Sequence, residues 1–401
     1  MERQPFRDMK ILDLSNHISG SFCTKFFADY GADVIKVEKP GRGSLTRYIP
    51  PFIGNNPDIN KSAYFLYLNT NKRGITLNLK SNTGCKIFSQ LVRDVDILVE
   101  SFAPCTSLNL GLDFDEIEKL NPRLIMASIS NFGRTGPYRD FKASFLVEYA
   151  MGGAMYSTGL PEREPLTKGP DTLLFETGIQ SAYVILAAYM VSRKDGIGDH
   201  IDISIMESQL AGCERRTANL LTYQYTKDIS RRVSPNEGVY STVPCTLPCK
   251  DGFVSLSVGV QNFSKFLTLI GRPDLVEDPC WDANIMEINP EVMKVYHDCF
   301  AKKTKKEWAD LFQKENLICT PLNTPEDICN NEQWHFRNFF VDIEHPLTGS
   351  NKYPRGVIRV QPEWWKIRKP APLLGQHNVD VYGALGYTAD EIEAFTAQGI
   401  V

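Results

Sequence analysis

The stretch MKILDLSNHISGSFCTKFFADYGADVIKVEKPGRGS, residues 9–44, decides the fold. It opens on a short apolar run, MKILDLS, with the composition of a strand. SGSFCTKFFADYG follows as an amphipathic helix that stops at Gly31. ADVIKVEKP is then a second strand, and PGRGS a loop. The alternation of strand and helix then repeats. ITLNLK reads as a strand, TGCKIFSQLVRD as a helix and DILVES as a strand, and FDEIEKLNPR is a helix before the strand LIMASIS. A long apolar helix around TGIQSAYVILAAYMVSRKDG precedes GDHIDISIMESQLAGCERR, a strand running into a helix. Strands separated by helices imply an α/β fold with a parallel sheet covered on both faces. From about residue 225 the texture changes to tyrosines, prolines, short strands and small helices, which suits a smaller α/β unit. The tail, with PAPLLGQHN and the helix TADEIEAFTAQG, is compact again.

Composition narrows the function. The 401 residues exceed the roughly 250–300 at which one core stops growing, so about two domains are expected. Hydrophobic residues make up 42% and charged residues 23%, as in globular proteins. A net charge of −4 argues against non-specific nucleic-acid binding. No run of about 18 uncharged apolar residues occurs, so no membrane partner is expected. The start lacks an apolar signal core, which predicts a cytoplasmic protein with reduced thiols at its ten cysteines. Cys245 and Cys249 have no second Cys or His pair at metal spacing, so no metal site is expected.

The common cofactor motifs are missing. The first strand–helix turn, SNHISGS, has one glycine where a dinucleotide fingerprint needs three, which argues against NAD or FAD. There is no Walker loop and no G-x-S-x-G elbow. Polar loops remain: Lys39, Arg42 and Arg47 after the second strand, then LNTNKRG with Asn69, Asn71, Lys72 and Arg73, then Ser101 and Phe102, then NFGRTGP with Arg134. Their cations and amides suit a polyphosphate ligand with an attached base, since open α/β sheets bind ligands at loops beyond the strand ends.

In combination these loops resemble class III coenzyme A transferases, the CaiB/BaiF type that includes formyl-CoA and crotonobetainyl-CoA transferases. The likeness also takes in DILVESFAP, LGLDFDEIEKLNPRLIMASISNFGRTGPY and LGQHNVDVYGALGYTADEIEAF, in the family's order. It implies a large Rossmann-like domain containing both chain ends (1–220 and 331–401), a smaller inserted α/β domain (221–330), and two chains interlocked as linked rings. It implies CoA or acyl-CoA as substrate, with no permanently bound cofactor. The family's CoA contacts fall on His17, Ile18, Lys39, Arg42, Asn69, Asn71, Lys72, Arg73, Ser101, Phe102 and Arg134. Phe102 would pack on adenine, and Lys39, Lys72 and Arg134 would pair with phosphates. The plainer alternatives are a core Phe102 and a His17 that merely satisfies a strand end.

Family catalysis uses an aspartate four residues before a glycine. The carboxylate attacks the thioester, a mixed anhydride forms, and CoA thiolate returns to give an enzyme thioester. Here GPDTLLFETG places Leu174 four residues before Gly178. The neighbouring carboxylates are Asp171 and Glu176; Asp171 also suits a plain helix N-cap. Asn109 stands where the family often has Arg, and SPNEGVYSTVPC carries a single glycine, Gly238, where formyl-CoA transferases have a glycine-rich cover. Three readings follow. The first is a self-sufficient transferase moving CoA from an acyl-CoA, such as succinyl-CoA, to a carboxylic acid. The second is a catalytically silent subunit paired with an active paralogue, so that the chain is a homodimer or part of a heteromer. The third is an acyl-CoA racemase, disfavoured because KASFLVEYAMGG has no His.

Overall fold

A six-stranded parallel sheet organises the large unit in the computed structural model, which describes residues 3–169, 171–212, 216–229, 232, 243–281, 290–356 and 358–401. Its strands are β1 (Lys10–Leu14), β2 (Asp33–Glu38), β3 (Arg73–Thr76), β4 (Ile97–Glu100), β5 (Ile125–Ser130) and β6 (Asp199–Ser204), in the order 3-2-1-4-5-6. Successive side chains of a strand point to opposite faces, so each strand feeds two cores. Ile11, Val34, Ile97 and Ile125 face one, with Phe27, Leu174 and Ile185. Leu12, Ile35, Leu98 and Met126 face the other, with Ile87, Leu91 and Tyr382.

Helices supply both covers. α1 (Ile18–Asp29) leaves β1, and α2 (Ala63–Leu68) precedes β3. α3 (Asn82–Val92) follows β3 with Ser81 accepting from the Gly84 N–H at its N-cap. α4 (Pro104–Asn109) and α5 (Phe114–Leu120) separate β4 from β5. α6 (Phe145–Met151), α7 (Thr172–Asp195) and α8 (Ile205–Ala211) flank β6. α7 is, by length and composition alone, long and apolar enough to cross a membrane. Here it lies on α1. A Cβ on Gly178 would sit 2.7 Å from the Ser19 carbonyl oxygen, so only glycine allows this approach.

The chain divides into residues 1–155, 167–228 and 338–401, and a second unit of 156–166 and 229–337. The second unit differs from the expected 221–330 at both ends. The helix Arg216–Thr226 belongs wholly to the first unit, and Glu332–Phe336 to the second. Segment 156–166 joins the second unit because Arg232 donates to the carbonyls of Tyr156, Leu160, Pro161 and Arg163. Its antiparallel strands β7 (Thr246–Cys249), β8 (Gly252–Ser257) and β9 (Ile318–Pro321) bury Val254 and Leu256 with Phe266, Phe300, Trp308 and Phe312. A hairpin, β10 (Phe340–His345) and β11 (Gly349–Pro354), returns to the first unit.

Candidate active site

The strand order reverses between β1 and β4, and open α/β sheets bind ligands at that point, beyond the carboxyl ends of the strands. A cavity of about 500 Å3 lies there. Ser15 and Asn16 reach it from β1, Lys39 and Arg42 from β2, residues 77–80 from β3 and Phe102 from β4. The side chains of Lys39, Arg42 and Lys80 are exposed and, among the described residues, form no ion pair. Glu38 also lines the cavity, but its carboxylate is taken up by Arg47, with Nε and Nη2 each 2.7 Å away. The cavity therefore carries surplus positive charge beside an apolar wall of Leu77, Leu79 and Phe102, a combination suited to a phosphorylated nucleotide.

One residue beyond Asn16 a second cluster begins. Asp171 precedes α7 in a left-handed conformation, φ 65°, which an aspartate tolerates better than most residues. Its side chain makes no cap to the amides of α7. The Tyr64 hydroxyl donates to Asp171 Oδ2 at 2.9 Å instead. His17 lies within reach of the same charge: burial lowers its pKa and Asp171 partly restores it. Burial, with the Asp171 hydrogen bond, raises the Tyr64 hydroxyl. A carboxylate is thus held by a neutral donor beside an imidazole whose pKa burial keeps low. Asp171 does stand at the N-cap position, but its side chain does not serve as the cap.

Residues 6–378 match the profile of CoA-transferase family III. The chain belongs to that family. It is 30% identical to the mouse succinyl-CoA:glutarate CoA-transferase over 404 residues, covering 99% of this chain and 90% of the relative. It is 30% identical to a formyl-CoA:oxalate CoA-transferase of Streptomyces avermitilis over 410 residues, covering 98% of each. The crystal structure of a CaiB/BaiF family protein from Brucella suis superposes with a TM-score of 0.85 at 26% identity, over 96% of this chain and 100% of that one.

In this family III chain the residues singled out in the sequence separate into groups. Lys39, Arg42 and Phe102 surround the cavity. Ser101 Oγ accepts the Asn16 N–H at 2.9 Å and so ties two of its loops together. Ile18 is fully buried, and His17 belongs to the Asp171 cluster. Arg134 donates at 3.2 Å to Glu100, whose carboxyl burial raises despite the Phe102 amide and Arg134.

The Asn69–Arg73 segment is a correction. It precedes β3 instead of following a strand, because α2 runs to Leu68 and β3 begins at Arg73. Arg73 pairs with Asp33 at the amino end of β2. Asn71, at φ 64°, accepts the amides of Arg368 and Lys369. Asn69 is buried and bonds the Phe65 carbonyl. Lys72 is 1% exposed, and its ammonium donates to Asp13, Thr24, Asn69 and the Ser21 carbonyl, so it has no donor to offer a phosphate. Leu174 is buried in the apolar core; Glu176 is half-buried, 3.7 Å from Lys168. Asn109 ends α4 on the surface, and Gly238 lies outside the described residues. Sequence reasoning missed Tyr64, Tyr48 and residues 77–80. The signal for the last was present, since NLK in ITLNLK is polar enough to be the loop after a strand instead of its end.

Proposed function

We propose that Asp171 is the carboxylate through which this CoA-transferase moves CoA from an acyl-CoA to a carboxylic acid. The observation that carries the reading is the Asp171 side chain, which makes no cap to its helix and is held by Tyr64 beside His17. The Tyr64 hydrogen bond orients Oδ2 and leaves Oδ1 to attack. Attack on the acyl carbonyl breaks its bond to sulfur, giving an aspartyl–acyl anhydride and CoA thiolate. The thiolate then attacks the aspartyl carbonyl, releasing the donor carboxylate and leaving an aspartyl–CoA thioester. The acceptor carboxylate repeats both steps in reverse order and departs as its CoA ester. Lys39, Arg42 and Lys80 would hold the phosphates of CoA, and Phe102 its adenine, with no permanently bound cofactor. Relatives named for succinyl-CoA, glutarate and oxalate make succinyl-CoA with a small dicarboxylate the first pair to assay.

The Asp171→Asn variant keeps size and cap propensity while removing the nucleophile. It should fold and lose about three or more orders of magnitude in turnover, and hydroxylamine should no longer cleave an enzyme-bound acyl group. Retained turnover in this variant refutes the role of Asp171. Buried Leu174, in the place of the family nucleophile, favours a second reading. There the chain is the silent subunit of a heteromer. Purified alone, it would then transfer no CoA until a second family III subunit is added.

A further inference from the structure

We propose that Arg47 is the positioning residue of the CoA loop: its guanidinium sets residues 39–44 so that Lys39 and Arg42 face the phosphates. The proposal rests on the reading of the cavity as the CoA site. The sequence grouped Arg47 with those two lysine and arginine side chains as a third phosphate cation. The structure puts it beneath them with 0% exposure.

All five guanidinium hydrogens have acceptors. Nε and Nη2 donate to the two Glu38 carboxylate oxygens, each at 2.7 Å. Nη2 also reaches the Pro372 carbonyl at 3.2 Å. Nη1 donates to the Ile59 carbonyl at 3.1 Å and to Asn60 Oδ1 at 2.9 Å. Its Cζ lies 3.6 Å from the centroid of the Phe65 ring. Arg47 thus joins the end of β2, the 59–60 turn, α2 and the C-terminal segment at one point. Lysine, with three donors on one nitrogen, cannot reproduce this fork.

The loop is built on that joint. Glu38 Oε2, already bonded to Arg47, accepts the Ser44 N–H at 2.8 Å and closes the loop. A Cβ on Gly43, at φ 71°, would lie 2.5 Å from Arg47 Cδ, so the loop wraps the arginine stem directly. The Gly43 amide returns to the Lys39 carbonyl at 2.9 Å, and the Tyr48 hydroxyl to the Arg42 carbonyl at 2.8 Å. The pairing also removes Glu38 as a free anion on the cavity wall, where it would repel phosphate.

The test is calorimetric titration of the full chain with CoA and with 3′,5′-ADP, alongside amide hydrogen exchange. For Arg47→Lys, measured where circular dichroism shows it folded, both dissociation constants should rise about tenfold or more. Exchange should quicken at residues 39–45 while the sheet stays protected, whereas general destabilisation would quicken exchange across the sheet as well. Asn60→Ala, which removes one acceptor, should shift both constants in the same direction by less, and decides the matter if Arg47→Lys does not fold. Unchanged CoA affinity in a folded Arg47→Lys or in Asn60→Ala, with Lys39→Ala weakened, overturns the proposal alone. Unchanged affinity in Lys39→Ala and Arg42→Ala as well overturns the CoA reading of the cavity with it.

Discussion

Lys72 and Lys80 look alike in sequence, each a cation in a polar stretch beside a strand, and the fold places one in the interior and the other on the cavity. Lys72 lies with Lys36 around Asp13, all three buried. Burial alone would raise the Asp13 carboxyl, but the two ammonium groups and its Ser15 and Thr24 hydrogen bonds hold it below the usual carboxylate range. Burial also drops Lys72 to about 8, against the pull of Asp13. Lys72→Met should therefore cost about 1–3 kcal/mol or more, because buried Asp13 loses one of its two ammonium partners and Asn69 Oδ1 loses its donor. Urea unfolding measures that loss, and CoA affinity should stay within about threefold of wild type. Lys80→Ala should do the reverse: unfolding midpoint unchanged, CoA affinity down about tenfold, consistent with loss of a charge-assisted phosphate contact. The discrimination between CoA and dephospho-CoA should shrink if Lys80 faces the 3′-phosphate, and titration with both ligands reads it.

At the scale of the element, α6 carries an unusual residue. Glu148 is 2% exposed on this seven-residue helix, and burial pushes its carboxyl up to about 7. The ordinary value of 4.5 applies in the unfolded chain. Between these two values the folded protein binds the extra proton, so stability falls as pH rises from about 4.5 to about 7 and stays low above it. Glu148→Gln removes the titration. The variant should be more stable than wild type at pH 8, by up to about 3 kcal/mol from a shift of this size, and nearly equal at pH 4.5. Urea denaturation at the two pH values checks the sign; an equal difference at both would refute the burial argument. The same helix exposes Leu146 and Met151, apolar residues that the unit itself does not cover.

At the scale of the whole molecule, that exposure continues along α7, where Ile179, Tyr183, Met190 and Val191 are each at least half exposed. Exposed apolar side chains along two helices suit a surface that a partner covers. A second family III chain covering this face is the proposal that fits, as a homodimer in the self-sufficient reading and as a heteromer in the other. Light scattering should give twice the mass of one chain at micromolar concentration. Ile179→Lys with Tyr183→Glu should shift it towards a single chain and expose dye-binding surface. A single-chain mass for the wild type throughout that range would remove the proposal.

The parallel sheet is legible in the primary structure alone. The near-continuous apolar runs in KILDL and DVIKVE tell strands buried on both faces, and the spacing of strands by helices leaves a parallel arrangement as the packing that buries both. The loops after β1, β2 and β4 were legible for the same reason: each follows a strand whose end is marked by a turn or a charge. The loop after β3 was not. β3 has four residues, too few for alternation to fix its ends, so the polar groups before it and after it looked interchangeable. Only the tertiary structure sent Lys72 inward to Asp13, Arg47 beneath its loop and Lys80 to the cavity. Asp171 was ambiguous on local grounds because a carboxylate at that position caps a helix equally well. Its partner, Tyr64, lies 107 residues away in the chain, and a hydrogen bond between positions so distant is set by how α2 and α7 are placed on the sheet, which no local pattern encodes.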